Sequence, residues 1–153
     1  MKKLHFASTI IAGLTATAAM TMLLIVAPMM GMPKMDIGGM LAMFMGIPVT
    51  AGWIAHFMIG VLLAFGYALF IVSRTRLSGV TAGLLYSIIP WMMAQVILMP
   101  MMGMGLFSGS MVMAGGSLMG HLLYGAVLGA VYKPKSAIEE NGPIYAPKGT
   151  ALR

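Results

Sequence analysis

Two histidines carry the chemistry this chain could do. His56 stands in GWIAHFMIGVLLAFGY (52–67) and His121 in GSLMGHLLYGAVLGAVY (116–132), each inside an otherwise apolar run. An ionisable side chain in such a run costs a few kcal/mol unless it finds a partner, so it marks a functional site by default. Two imidazoles at matched positions could bind a metal or ligate a haem iron from both sides. The plainer alternative is that each neutral ring hydrogen-bonds a backbone carbonyl, a threonine or Tyr124 and ties helices together. Methionine supplies the second set of candidates. The chain has 20, and PMMGM occurs twice, at 28–32 and 100–104. The thioethers of Met29, Met30, Met32, Met101, Met102 and Met104 are soft ligands that select Cu(I). Methionine is equally an adaptable apolar filler, as Met58, Met92 and Met93 in the spans illustrate. Copper or haem at these residues is therefore the cofactor expectation, set against plain packing.

Other chemistry is thin. Asp36, Glu139 and Glu140 are the only acids, and none lies in an apolar run. A proton-coupled transporter usually keeps a carboxylate in the membrane. No nucleotide loop, serine–histidine–acid set or zinc-protease motif is present, and cysteine is absent. No enzymatic activity is expected.

The medium that positions these residues follows from composition. Only 8% of the 153 residues are charged and 60% are hydrophobic, with a mean hydropathy of +0.97. A soluble domain carries about 25% charged residues. A surface so poor in charge folds in lipid, and the length suits a few spanning helices. The net charge of +6 forms no patch, so nucleic acid is not expected as a partner. The apolar runs predict spans at about 7–27, 50–72, 79–99 and 112–132, followed by a polar tail over 133–153. The first run, with Lys2 and Lys3 before it and Ala16-Thr17-Ala18 within it, also resembles a signal peptide. Its apolar character continues past that site through Met22–Val26, which favours an uncleaved first helix. Asp36 is a plausible N-cap for a short interfacial helix, Ile37–Met45, in the first outer loop. Pro90 predicts a kink in the third span, and Gln95 a buried amide there.

The basic residues orient the chain. With four spans, Lys2, Lys3, Arg74, Arg76, Lys133, Lys135, Lys148 and Arg153 share one side, and Lys34 alone lies on the other. The positive-inside rule then places both termini in the cytoplasm.

The spans also read as a duplication. His56, Gly60, Ala64 and Tyr67 match His121, Gly125, Gly129 and Tyr132, spacing for spacing. PMMGM follows the first and third spans, and Ala12-Gly13-Leu14 recurs as Ala82-Gly83-Leu84. The expected architecture is all-α, four transmembrane helices as two parallel two-helix repeats. Small residues let backbones approach closely in lipid. The pairs Gly60/Ala64, Gly125/Gly129, Gly116/Gly120 and Gly79/Gly83 are therefore expected to form packing faces, with the second and fourth spans meeting near the pseudo-axis. Depth constrains the histidines. His56 lies roughly 27 Å of helix before Arg74 and His121 roughly 18 Å before Lys133. If those cations share a level, the rings are offset by about 9 Å and cannot share a metal, whose bonds to nitrogen are about 2 Å.

GHLLYGAVLGAVY in the fourth span, with AGWIAHFMIG in the second, resembles the small bacterial inner-membrane proteins of unassigned function grouped as YagU-like. The resemblance spans about residues 13–132 and implies a four-helix bacterial inner-membrane protein; it supplies no functional residue. Three functional readings follow. The first is a non-enzymatic module in the lipid bilayer that self-associates as a homo-oligomer or serves a larger membrane complex. The second is a copper or haem protein using His56, His121 and the PMMGM methionines. The third is a small channel or transporter lined by Gln95 and the span threonines.

Overall fold

The computed structural model of the chain describes residues 5–74, 77 and 79–134. Helix α1, Phe6–Val26, starts where His5 Nδ1 accepts from the Ser8 amide. Helix α2, Ile37–Met45, begins at Asp36, whose carboxylate accepts from the Gly39 amide at 2.9 Å, and ends at Gly46 in the left-handed region. These are the bounds that the sequence predicts. Helix α3, Val49–Gly66, continues as a wide π-turn over Tyr67–Val72. Helix α4, Gly79–Met93, contains Pro90 and likewise widens over Ala94–Leu98 before its last turn at Met99–Met101. Helix α5, Met111–Val131, is capped by Ser110.

Four segments are long and apolar enough to cross a bilayer: Phe6–Met30, Val49–Val72, Gly79–Met101 and Met111–Val131. At nine residues α2 reaches only about 14 Å and cannot cross. No strand occurs among the described residues. Helix α1 packs against α3 and α5, α5 packs against α4, and α2 lies on α3.

The repeated PMMGM motif has a structural explanation. In each copy the proline opens a last tight turn and the glycine closes it with positive φ, at +85° for Gly31 and +76° for Gly103. The same two hydrogen bonds recur. Gly31 N donates to Pro28 O (3.1 Å) and Met32 N to Ala27 O (3.2 Å); Gly103 N donates to Pro100 O (2.9 Å) and Met104 N to Met99 O (3.0 Å). The motif is thus a helix terminator used twice, with proline where an amide is dispensable and glycine where the left-handed conformation is needed.

The duplication is equally plain in the packing. Gly13 of α1 faces Gly60 and Ala64 of α3, and Gly83 of α4 faces Gly125 and Gly129 of α5. A Cβ on Gly83 would land on the Gly125 carbonyl oxygen, and one on Gly13 would stand 2.9 Å from Val61 Cα. The expected α3–α5 glycine contact is therefore not what forms. Each glycine face closes on the first helix of its own hairpin, because Gly13 and Gly83, from the recurring Ala-Gly-Leu triplet, offer the bare backbone that close approach requires. The remaining small pair, Gly116/Gly120, receives the methyl groups of Met32 and Met35 and the side chain of Met20.

The hairpins run parallel. At one end lie the two methionine-rich loops. At the other, Lys133 N donates to Ser8 Oγ (2.8 Å), and the Tyr67 ring meets the Tyr132 ring edge-on, centroids 5.8 Å apart. Tyr67 and Tyr132 are equivalent residues, so they meet near the pseudo-two-fold axis. Symmetry is incomplete beyond that point. Helices α1 and α5 pack along their length, whereas α3 reaches the second hairpin through tyrosines: Tyr86 donates to Leu63 O (2.8 Å) and Tyr124 to Gly60 O (2.6 Å).

Candidate functional site

The gap that this asymmetry leaves is a half-open chamber of about 400 Å³, walled by all five helices and by Met102, Met104 and Ser108 of the second methionine-rich loop. Both histidines line it. The expected 9 Å offset assumed that Arg74 and Lys133 share a level. The tyrosines set the level instead: Tyr67 is eleven residues after His56 and Tyr132 eleven after His121, and the two rings touch. Arg74 lies seven residues past Tyr67, on the far side of the π-turn, while Lys133 follows Tyr132 directly. The imidazoles consequently line the same chamber.

Their hydrogen bonds assign their protons. His121 Nδ1 stands 2.8 Å from Ser117 O, an acceptor only, so Nδ1 carries the hydrogen and Nε2 the lone pair. Thr21 Oγ1 gives its single proton to Thr17 O (2.8 Å), so at 3.2 Å it can only accept from His56 Nε2. His56 Nδ1 is then the unprotonated nitrogen. Trp53 and Phe57 meet the His56 ring edge-on, at centroid distances of 5.9 and 5.8 Å, and hold its plane. Only His56, through Thr21 of α1, makes the helix-tying bond of the plainer alternative; His121 bonds a carbonyl one turn back in its own helix. Each ring also keeps a second nitrogen with no hydrogen-bond partner among the described residues, and neither of these is a sealed, unsatisfied atom.

The methionines divide. Met102 and Met104 line the chamber, joined by Met20, which lies against Gly120 beside His121. Met29, Met30 and Met101 point outward, 85%, 76% and 65% exposed, and Met32 packs on Gly116. Two imidazole nitrogens and several thioethers therefore share one chamber, the donor set a soft metal would need. No group of three or more His, Cys, Asp or Glu occurs among the described residues, which leaves out a hard or borderline metal cage. Haem fits poorly, because among the described residues no lysine or arginine lines the chamber to meet its propionates.

Sequence reasoning found Gln95 as a buried amide but not its partners. Gln95 donates to Ser117 Oγ (3.1 Å) and accepts from Ser108 Oγ (2.8 Å). Ser108 and Phe107 sit at φ +59° and +54°, which non-glycine residues adopt at a cost of about 1–3 kcal/mol each. Gln95 therefore latches a strained loop over the chamber. Gln95→Leu is expected to raise amide exchange across 102–110 about tenfold, as loss of a bond worth about 1.4 kcal/mol would, while exchange in α1 and α3 is unchanged. Hydrogen–deuterium exchange mass spectrometry in detergent checks this.

Four spanning helices, arranged as a tandem duplication around a chamber with a histidine from each copy, define a multi-pass α-helical membrane protein. The chain belongs to a family of unknown function, DUF6789, whose profile matches residues 4–141. Among curated proteins and among solved structures, nothing matches it.

Proposed function

We propose that this protein is a non-enzymatic module of the bacterial inner membrane, with both termini cytoplasmic, that holds a small apolar molecule in the chamber between its repeats. One observation carries the reading: both repeat histidines line a single chamber of about 400 Å³, each with one pinned and one unengaged ring nitrogen. That volume lies within the roughly 300–1,000 Å³ typical of small-molecule sites, which are mostly apolar with a few convergent polar groups. The distribution of basic residues supports the orientation. The YagU-like resemblance supports the bacterial inner membrane.

The small-residue faces that favoured self-association or service in a larger complex are all engaged inside the chain. The outward surface carries large apolar side chains such as Ile25, Phe70 and Ile97, suited to the lipid bilayer as partner. A channel reading gains little from the threonines, since Thr17 alone of them lines the chamber and it bonds back to Gly13 O in its own helix.

Ala94 lines the chamber, and Ala94→Phe fills it. Native mass spectrometry of protein released from membranes of the expression host is expected to show a one-to-one small-molecule adduct that Ala94→Phe abolishes. A wild-type protein without adduct, or an adduct kept undiminished by the variant, overturns the reading.

A further inference from the structure

We propose that the molecule held in the chamber is a neutral apolar compound bearing a hydroxyl group, gripped by donation of that hydroxyl to His56 Nδ1 or His121 Nε2. This rests on the chamber reading above and names the class of its guest. Most polar hydrogens on the chamber wall are already committed, the Ser117 hydroxyl and one Gln95 amide hydrogen being the exceptions. Thr17 donates to Gly13 O at 2.8 Å, Tyr124 to Gly60 O at 2.6 Å and Ser108 to Gln95 Oε1 at 2.8 Å, while Gln95 in turn donates to Ser117. The two histidines differ from these groups. Their remaining nitrogens are lone pairs, fixed as such by Thr21 and by Ser117 O. At the histidines the site thus offers acceptors, and a guest that presents only ether or carbonyl oxygens to them would set lone pair against lone pair.

Charge is excluded on separate grounds. Among the described residues no carboxylate, lysine or arginine lines the chamber, so an ionised guest would be buried without a counter-charge there. The rest of the wall is apolar, and methionines such as Met35, Met40 and Met93 let it adapt to the guest's outline. Lone pairs could also take a soft metal ion, but a chamber of about 400 Å³ far exceeds one ion and suits an organic skeleton.

The test uses the full chain in lipid nanodiscs with radiolabelled 4-pentylphenol and 4-pentylanisole, which share a skeleton and differ in one proton donor. Binding is corrected for partition into protein-free nanodiscs. Saturable uptake at one per chain is expected, with the phenol bound about tenfold more tightly, the effect of one hydrogen bond to an otherwise unmet buried group. In His56→Leu/His121→Leu that ratio falls to about one while anisole still binds, which shows the chamber intact. Equal affinity of the two probes for the wild-type protein overturns the hydroxyl inference and leaves the chamber reading standing. Absence of saturable binding of either probe overturns both. A phenol preference that survives in the double variant overturns the assignment to the histidines. One copper per purified chain, lost in the double variant and displacing the phenol, makes the nitrogens metal ligands and overturns it as well.

Discussion

Gly83→Ala is expected to destabilise the fold by about 3 kcal/mol, through a single methyl group. The position explains the size. An added Cβ would sit on the Gly125 carbonyl oxygen and press on the Gly129 amide, and both belong to backbone that cannot swing aside as a side chain can. The α4–α5 axes must separate, and in lipid no hydrophobic drive offsets the lost contacts. Gly60, on the glycine face of the first repeat, responds less. A Cβ at Gly60 meets Thr17 Oγ1, which can rotate away by giving up its 2.8 Å bond to Gly13 O, so about 2 kcal/mol is expected there. Gly115 lies in α5 with open space around it, and Gly115→Ala is expected to be neutral or to stabilise by up to about 1 kcal/mol through helix propensity. Unfolding in mixed micelles of rising dodecyl sulfate fraction orders the three. A Gly83→Ala protein as stable as Gly115→Ala would show that the hairpins do not close on their glycine faces.

That comparison also marks where sequence reading stops. The spans, the capped helix after Asp36 and the duplication are legible because each depends on local pattern: apolar length, a carboxylate at an N-cap, letters in repeated order. Which face meets which is not local. A stripe such as Gly60/Ala64 says that something approaches closely without saying what, and the partner proves to be Gly13, a glycine with no glycine or alanine four places away. The methionines mislead for a related reason. PMMGM reads as a ligand cluster, yet its conserved geometry within the chain is that of a helix terminator, which throws Met29, Met30 and Met101 outward. The level of the histidines was hidden by the π-turn after Gly66, since no residue type announces that α3 will run seven residues past its tyrosine before reaching Arg74. The wall's hydrogen-bond economy, with most donors engaged and two ring nitrogens left over, depends on contacts such as Thr21 with His56 and Tyr124 with Gly60 that no local pattern announces.

The second large effect is expected where those contacts are fewest. Tyr86 and Tyr124 reach from the second repeat to Leu63 O and Gly60 O, carbonyls one turn apart on α3. Either tie alone holds α3 at its present distance from α4 and α5, so Tyr86→Phe and Tyr124→Phe are each expected to cost about 1 kcal/mol, because the carbonyl left behind keeps its place in the helix ladder. The double variant is expected to cost about 3 kcal/mol, roughly 1 kcal/mol beyond the sum, since only then is the stretch of α3 beside the chamber free to part from the second hairpin, with Tyr67 still holding the far end through Gly79 O. Each hairpin stays closed, for the glycine contacts of α1 with α3 and of α4 with α5 involve neither tyrosine. The wall that α3 contributes, with His56 on it, moves away from His121. Micellar unfolding of the two single variants and the double measures the coupling. Strict additivity would mean that α3 is held across the chamber by something other than its tyrosines.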